Sequence, residues 1–307
     1  MSLKERVVGR AALDYLPKLG YSIEVEDNQN ILGSLEQQNH LPLLIYFNHV
    51  ALDDPLVILH LLHRHLPERN YILPVSETYL KKEAKKLPIY NKGVNVGELL
   101  GCMMPHIIQP YRLRDEKLSE EDKNALTDRS FHLSRKFIEL VNSEMKFQKH
   151  PVIIIAPEGH RSEDGSLQPS ESGLGHIVKY MLKQQKAENI LNGLVLPIGL
   201  QYEENFTRER NWNPLRRPKV IVAIGNLMTL EEIKAGSLRL TGRRNLKADD
   251  SRLYTHFLML KLSELLPKNM RGVYAEELLG PTLAGNFELR PNEYGVVRVF
   301  DLSKKLL

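Results

Sequence analysis

Short, wholly apolar runs alternate along the chain with longer stretches in which apolar residues recur at helical spacing. Residues 41–47, 70–75, 152–156, 194–201 and 219–224 are brief, rich in Leu, Ile and Val, and bounded by polar or turn-forming residues, which predicts buried strands. Helices are predicted over 53–66, 119–146, 171–185 and 249–266. Pro55 falls in the first turn of one, where a missing N–H costs little. Ser119-Glu120-Glu121-Asp122 opens another with a capping signature, and Pro267 stops the last. Strands that alternate with helices predict an α/β fold with a mostly parallel central sheet flanked by helices on both faces. Residues 4–19 also carry a helical period, so an N-terminal amphipathic helix is expected within 1–30, packed on its own domain or lying on a membrane surface. The α/β domain is expected to span 31–267. Residues 268–307 hold Gly272, Gly280, Pro281, Gly285, Pro291 and Gly295 and are expected to form a loop-rich C-terminal tail.

Composition narrows the function classes. The chain has 307 residues and a net charge of +4, with 42 Lys and Arg against 38 Asp and Glu. That balance lacks the excess of a phosphate-tracking surface, so no nucleic-acid partner is expected. It suits an anionic membrane surface or a phosphorylated substrate. One cysteine, Cys102, excludes an internal disulfide and a cysteine metal cluster, and its apolar flanks mark it as a packed residue. No apolar run approaches the ~20 residues of a membrane span. Nor does the N-terminus carry the apolar core of a signal peptide. A cytoplasmic protein, peripheral to the inner face of the membrane, is expected.

Two segments carry chemistry. Asn48-His49-Val50-Ala51-Leu52-Asp53-Asp54-Pro55 lies between a predicted strand and a helix, where α/β sheets place their sites. An imidazole accepts a proton near neutral pH. A carboxylate five positions on can hold its other N–H and stabilise the imidazolium, the logic of a triad in which the substrate's own hydroxyl is the nucleophile. Asp53 or Asp54 serves equally well as a helix N-cap, and the spacing alone does not choose. The second segment, Pro157-Glu158-Gly159-His160-Arg161-Ser162, again follows a buried strand. Gly159 permits a tight turn, Arg161 offers a fork of donors suited to phosphate, and Glu158 either binds substrate hydroxyls or orients Arg161. A surface turn with a salt bridge is the plainer reading. His60, His63 and His65 lack the i, i+4 face of a zinc helix and read as packed or solvated.

Taken together, the two segments resemble the H-x4-D and E-G-T-R-S blocks of the glycerolipid acyltransferase family, which includes lysophosphatidate and glycerol-3-phosphate acyltransferases. Val195-Leu196-Pro197-Ile198-Gly199 resembles that family's proline-containing fourth block. Leu265-Leu266-Pro267 with Arg271-Gly272-Val273-Tyr274-Ala275 resembles its closing segment, so the likeness covers roughly residues 40–275. The resemblance implies transfer of a fatty acyl group from acyl-CoA or acyl-carrier-protein to a hydroxyl of lysophosphatidate or glycerol 3-phosphate. It implies His49 as general base, Asp54 as its partner, and Glu158, Gly159 and Arg161 at the acceptor phosphate. Pro197 would shape the acyl-donor side. His160 replaces the family's threonine and either adds a phosphate donor or fills the turn. The second block is poorly matched; its nearest counterpart is Ile107-Ile108-Gln109-Pro110-Tyr111-Arg112, which offers Arg112 as a second phosphate contact. That divergence leaves a different lipid acceptor open, as does a non-catalytic lipid-surface module. No metal and no bound cofactor are implied. Peripheral membrane contact is expected through the N-terminal helix and the lysines of residues 81–92.

Overall fold

In the computed structural model, five consecutive buried residues, Leu43–Phe47, form a central strand, β2. The structure describes residues 21–38, 40–51, 54–76, 102–108, 113, 117–146, 150–188, 193–203, 218–241, 251–275, 287–291 and 297–301. A strand alternates its side chains between the two faces of a sheet, so a fully apolar strand must be covered on both. Leu43, Ile45 and Phe47 enter one apolar cluster, with Leu32 and Leu35 of helix α1 (Ile31–Gln37) and Val57 and Leu61 of helix α2 (Asp54–His65). Leu44 and Tyr46 enter a second cluster, with Ile177 and Val178 of α4 (Gly173–Glu188) and Leu258 and Leu262 of α6 (Ser251–Glu264). Helix α3 (Glu120–Lys146) joins that second cluster through Phe137, Val141 and Met145, and α5 (Leu230–Thr241) joins it through Ile233. The protein is thus an α/β fold with helices on both faces of a mostly parallel sheet.

The remaining strands are β1 (Ser22–Glu26), β3 (Tyr71–Ile72), β4 (Val75–Ser76), β5 (Cys102–Met103), β6 (His106–Ile107), β7 (Val152–Ile155), β8 (Leu194–Tyr202), β9 (Lys219–Ile224), β10 (Met228–Thr229), β11 (Phe287–Pro291) and β12 (Val297–Asp301). The main sheet runs β1-β9-β8-β2-β7-β3-β5, with β10 also pairing β8. Pairings from β8 across to β5 are parallel, whereas β9 and β10 run antiparallel to β8. β2, β7 and β8 therefore end side by side: Tyr46 lies opposite both Ile155 and Pro197. Pro197 has no N–H to donate, and it stands at the break where β8 exchanges β10 (opposite Leu194 and Val195) for β9 (from Ile198 onward). Its carbonyl accepts the N–H of Gly225 at 3.0 Å.

Several elements differ from the sequence expectation. β1, assigned to the N-terminal segment, pairs with β9 and belongs to the main sheet. The expected strand 70–75 is two strands in two different sheets, because Pro74 interrupts it: Leu73 N–H goes to Met103 and Val75 N–H to Pro105. Helices α1 and α5 were not predicted. The loop-rich tail agrees with expectation and carries 3-10 turns at Lys268–Met270 and Gly272–Tyr274 and an antiparallel pairing of β11 with β12. The expected N-terminal helix and the lysines of 81–92 lie outside the described residues.

Helices α4 and α6 touch backbone to backbone. A Cβ built on Gly175 would sit 1.7 Å from the Ser251 carbonyl oxygen, and Gly175 N–H donates to Thr255 Oγ1 at 2.9 Å. Gly175→Ala is therefore expected to lower stability by about 3 kcal/mol, since overpacking there must push two helices apart. Gly173→Ala, with open space at its Cβ, is the control. Urea unfolding of both variants measures the difference, and equal stabilities would contradict the close crossing.

Candidate functional site

The turn after β2 is organised by one carboxylate. Asp54, at the start of α2, is fully buried. Its Oδ2 accepts the N–H groups of Val50 at 2.7 Å and Ala51 at 2.8 Å, and His49 Nδ1 lies 3.0 Å from the same oxygen. Its other oxygen, Oδ1, accepts the hydroxyl of Tyr202 at the end of β8. Asp54 thus grips the turn that precedes it, which answers the question between partner and N-cap left open by its spacing: these donors all lie outside the helix. Asp53 lies outside the described residues.

A carboxylate can only accept, so the bond to Asp54 assigns the proton to His49 Nδ1 and leaves the lone pair on Nε2. The His49 side chain is 19% exposed. Phe47 meets the imidazole edge-on, with ring centroids 6.2 Å apart. Asn48, beside it, is buried, and its side chain pairs twice with the backbone of Leu200: Nδ2 donates to the carbonyl at 2.8 Å and Oδ1 accepts the N–H at 2.7 Å. The turn is therefore fastened to β8 as well as to its own helix.

The segment after β7 lies against the same turn. Ser162 N–H donates to the His49 carbonyl at 2.7 Å, and Glu158 Oε1 accepts His49 N–H at 3.3 Å. Gly159 has φ +72°, a left-handed conformation that a residue with a Cβ adopts only at a cost. It closes the turn through its N–H to the Ala156 carbonyl at 3.2 Å. His160 Nδ1 donates to the Glu158 carbonyl at 2.9 Å, so this imidazole braces the turn. Arg161 is half-buried and immediately precedes the Ser162 that bonds to His49. His49, Asp54, Glu158, Gly159, His160 and Arg161 thus come together at one edge of the sheet. Pro197 lies farther back on β8, beneath that edge, and Arg112 lies outside the described residues.

Glu158 is 1% exposed, its Oε2 has no hydrogen-bond partner among the described residues, and Oε1 is occupied by the His49 backbone. Burial pushes its carboxyl far above the ordinary range; N–H donors from His49 and Gln168 offset part of that, while the charges of Asp54 and Asp164 add to it. Burial thus works against the charged form of Glu158. Asp164 is the opposite case. Hydrogen bonds from the Ser166 side chain and backbone, then from Ser162, hold its carboxyl below the usual range.

The 265–275 segment clasps this loop from behind. Leu167 N–H donates to Met270 at 2.9 Å, Val273 N–H to Leu167 at 3.4 Å, and the Ser170 and Tyr274 hydroxyls lie 2.9 Å apart. Comparison with protein-family models and with curated proteins finds no match for the chain. Among the described residues no helix is long and apolar enough to cross a membrane, and no group of three or more His, Cys, Asp or Glu is placed to hold a metal ion.

Sequence reasoning missed Tyr202 and the double grip of Asn48. The signal for Tyr202 is faint: a phenol that ends a long buried strand, five residues after Pro197. Cys102 is buried in β5, and burial pushes its thiol up to about 12, far from a nucleophile's range.

Glu158 also makes stability depend on pH. A buried carboxyl whose value lies above its unfolded 4.5 binds its proton more tightly in the folded state, so its contribution is complete below that pH and is lost as pH rises toward the folded value. Glu158→Gln removes this loss. Its stability relative to the parent is expected to improve steadily from mildly acidic to alkaline pH in urea unfolding, and a pH-independent difference would show that burial does not govern Glu158.

Proposed function

We propose that the protein is an acyltransferase that moves a fatty acyl group from acyl-CoA or acyl-carrier-protein onto a hydroxyl of lysophosphatidate or glycerol 3-phosphate. The observation that carries this reading is the His49–Asp54 contact of 3.0 Å at the C-terminal edge of β2, with the Arg161 segment bonded to the same turn. The resemblance of these two segments to the family's catalytic blocks supplies the reaction class.

In this reading the acceptor's phosphate lies against Arg161, whose planar fork suits a doubly accepting anion. The acceptor hydroxyl gives its proton to His49 Nε2 as its oxygen attacks the thioester carbonyl carbon. Asp54 stabilises the imidazolium that forms. The tetrahedral intermediate collapses with cleavage of the C–S bond, and the departing thiolate recovers the proton from His49, so ester and free thiol leave the site and the base is restored. Positioning and proton transfer supply the rate. Burial works against a second negative charge, on Glu158, beside an anionic substrate. Peripheral contact with an anionic membrane, through the basic residues of 81–92, would bring the site to its lipid acceptor, each cation contributing about 1 kcal/mol.

His49→Ala is expected to lower acyl transfer by about 10³-fold or more while leaving the circular dichroism spectrum unchanged. Full activity in the folded variant would remove the proposal. Mass spectrometry of products from a mixed pool of donors and acceptors identifies the acceptor: a preference for a non-phosphorylated lipid would move the reading to another acceptor class, and vesicle binding without any product would move it to a non-catalytic lipid-surface module. Sedimentation with anionic vesicles at low salt checks the membrane contact, and no binding there would end that part.

A further inference from the structure

Asp54 divides its two oxygens unequally. Oδ2 is shared by His49 Nδ1 and two backbone N–H groups, whereas the donor to Oδ1 among the described residues is the Tyr202 hydroxyl alone. The carboxylate has no exposure to water, so without the phenol Oδ1 would be a buried oxygen with no donor among the described residues. We propose that Tyr202 is a positioning residue of the His49–Asp54 pair, its O–H holding the second oxygen of Asp54 so that the pair keeps its anionic, proton-accepting form as the pH falls. The inference rests on the reading of His49 as the base.

The phenol is set by the sheet and not by the turn it serves. Tyr202 is the last residue of β8, and β8 is pinned to β2 two residues earlier by Asn48 on Leu200. Tyr21, itself 3% exposed, meets the Tyr202 ring edge-on with centroids 5.6 Å apart and planes at 63°. Because Oδ2 is already held by Val50 and Ala51, loss of the phenol O–H would not free the carboxylate to turn away from His49. Its effect is on charge. A neutral imidazole beside an ionised carboxylate is the form that carries the negative charge, and a donor on Oδ1 stabilises that form more than the protonated one. Without it, the pair takes up its first proton at a higher pH, whichever of the two residues the proton is assigned to.

Other titratable groups meet this pair from each side. From the loop after β7 come Glu158, whose Oε1 takes His49 N–H, and the neighbouring His160 and Arg161; Asp164 lies beyond them and acts on Glu158. From α2 comes Asp54 itself, and from β8 comes Tyr202. Oε1 of Glu158 is taken up by the His49 N–H, and the phenol is the group that answers Asp54 on the Oδ1 side among the described residues.

The test compares the full-length protein with Tyr202→Phe, Asp54→Asn and the double variant, with imidazole nitrogen NMR assigned through His49→Ala. Tyr202→Phe keeps the ring against Tyr21 and removes only the hydroxyl; near-ultraviolet circular dichroism checks its fold. The midpoint of the pair is expected to rise by about 0.5 to 1 pH unit in Tyr202→Phe. No further shift is expected when the same change is made in Asp54→Asn, because the phenol acts through the carboxylate. In acyl transfer, the acidic limb of the kcat profile should move by the same amount. The loss would be about 3- to 10-fold at mildly acidic pH, recovered at mildly alkaline pH, with KM unchanged. A midpoint that stays in place or falls in folded Tyr202→Phe, or an equal shift in the Asp54→Asn background, overturns the proposal. If the NMR shift appears while the parent protein transfers no acyl group, Tyr202 keeps this role and the acyltransferase reading fails.

Discussion

A buried anion must be surrounded by donors or it will not stay an anion, and the candidate site is built around that constraint. Asp54 has no exposure, yet its carboxylate meets donors on both oxygens from the turn before α2, from His49 and from β8. Three of the donors come from the one turn after β2 and the fourth from the end of β8, so satisfying the charge also fixes where those two pieces lie. The Val50 and Ala51 amides give the turn its shape, the imidazole receives its tautomer, and the end of β8 is drawn to the end of β2. Electrostatic satisfaction and the geometry of the candidate site are here the same set of bonds. Glu158, whose Oε1 takes the His49 N–H, sits in different surroundings: it is buried with no partner for Oε2 among the described residues, and burial pushes its carboxyl up.

The sheet makes the convergence possible. Parallel neighbours end at the same edge, so the turns after β2 and β7 face one another although they are far apart in the chain. The Ser162–His49 backbone bond then closes the gap between them. Behind the second turn, Met270, Val273 and Tyr274 hold the loop from Leu167 to Ser170, which ties the last turns after α6 to the chemistry without placing them in it. Gly272, where a Cβ would lie 2.0 Å from the Leu167 carbonyl oxygen, and the α4–α6 crossing at Gly175 are two places where a side chain would collide with the backbone of this arrangement.

Much of this was legible in the sequence, and the limits follow from physics. β2, β7, β8 and β9 were readable because a strand covered on both faces is apolar at every position. Helix α6 was readable because Leu253, Phe257, Leu260, Leu262 and Leu265 fall on a helix-like repeat and Pro267 ends the run. β1 was not: its residues are mostly exposed, and an edge strand with Glu24 and Glu26 toward solvent has no apolar signature. Helix α5 hides its period behind Gly236, which packs against Phe257. The His49–Asp54 pairing could be anticipated, since five positions across a strand-to-helix turn bring those groups into reach. Tyr202 could not, because nothing local to residues 194–202 reveals which carboxylate a phenol will meet across the sheet. The buried environment of Glu158 was equally invisible: a charged residue in a turn ordinarily reads as solvated, and only the tertiary fold places it under the His49 backbone.

The pairing of β1 with β9 bears on how the molecule is assembled. Ser22 aligns with Lys219 and Glu26 with Ala223 in a parallel ladder, so β1 has its hydrogen-bonding partner in a strand far along the chain. Until that partner is synthesised, the early segment has no sheet to join, and loop closure over so long a separation is slow. Its exposed glutamates suit that wait, since a charged strand is a poor template for a stray neighbour.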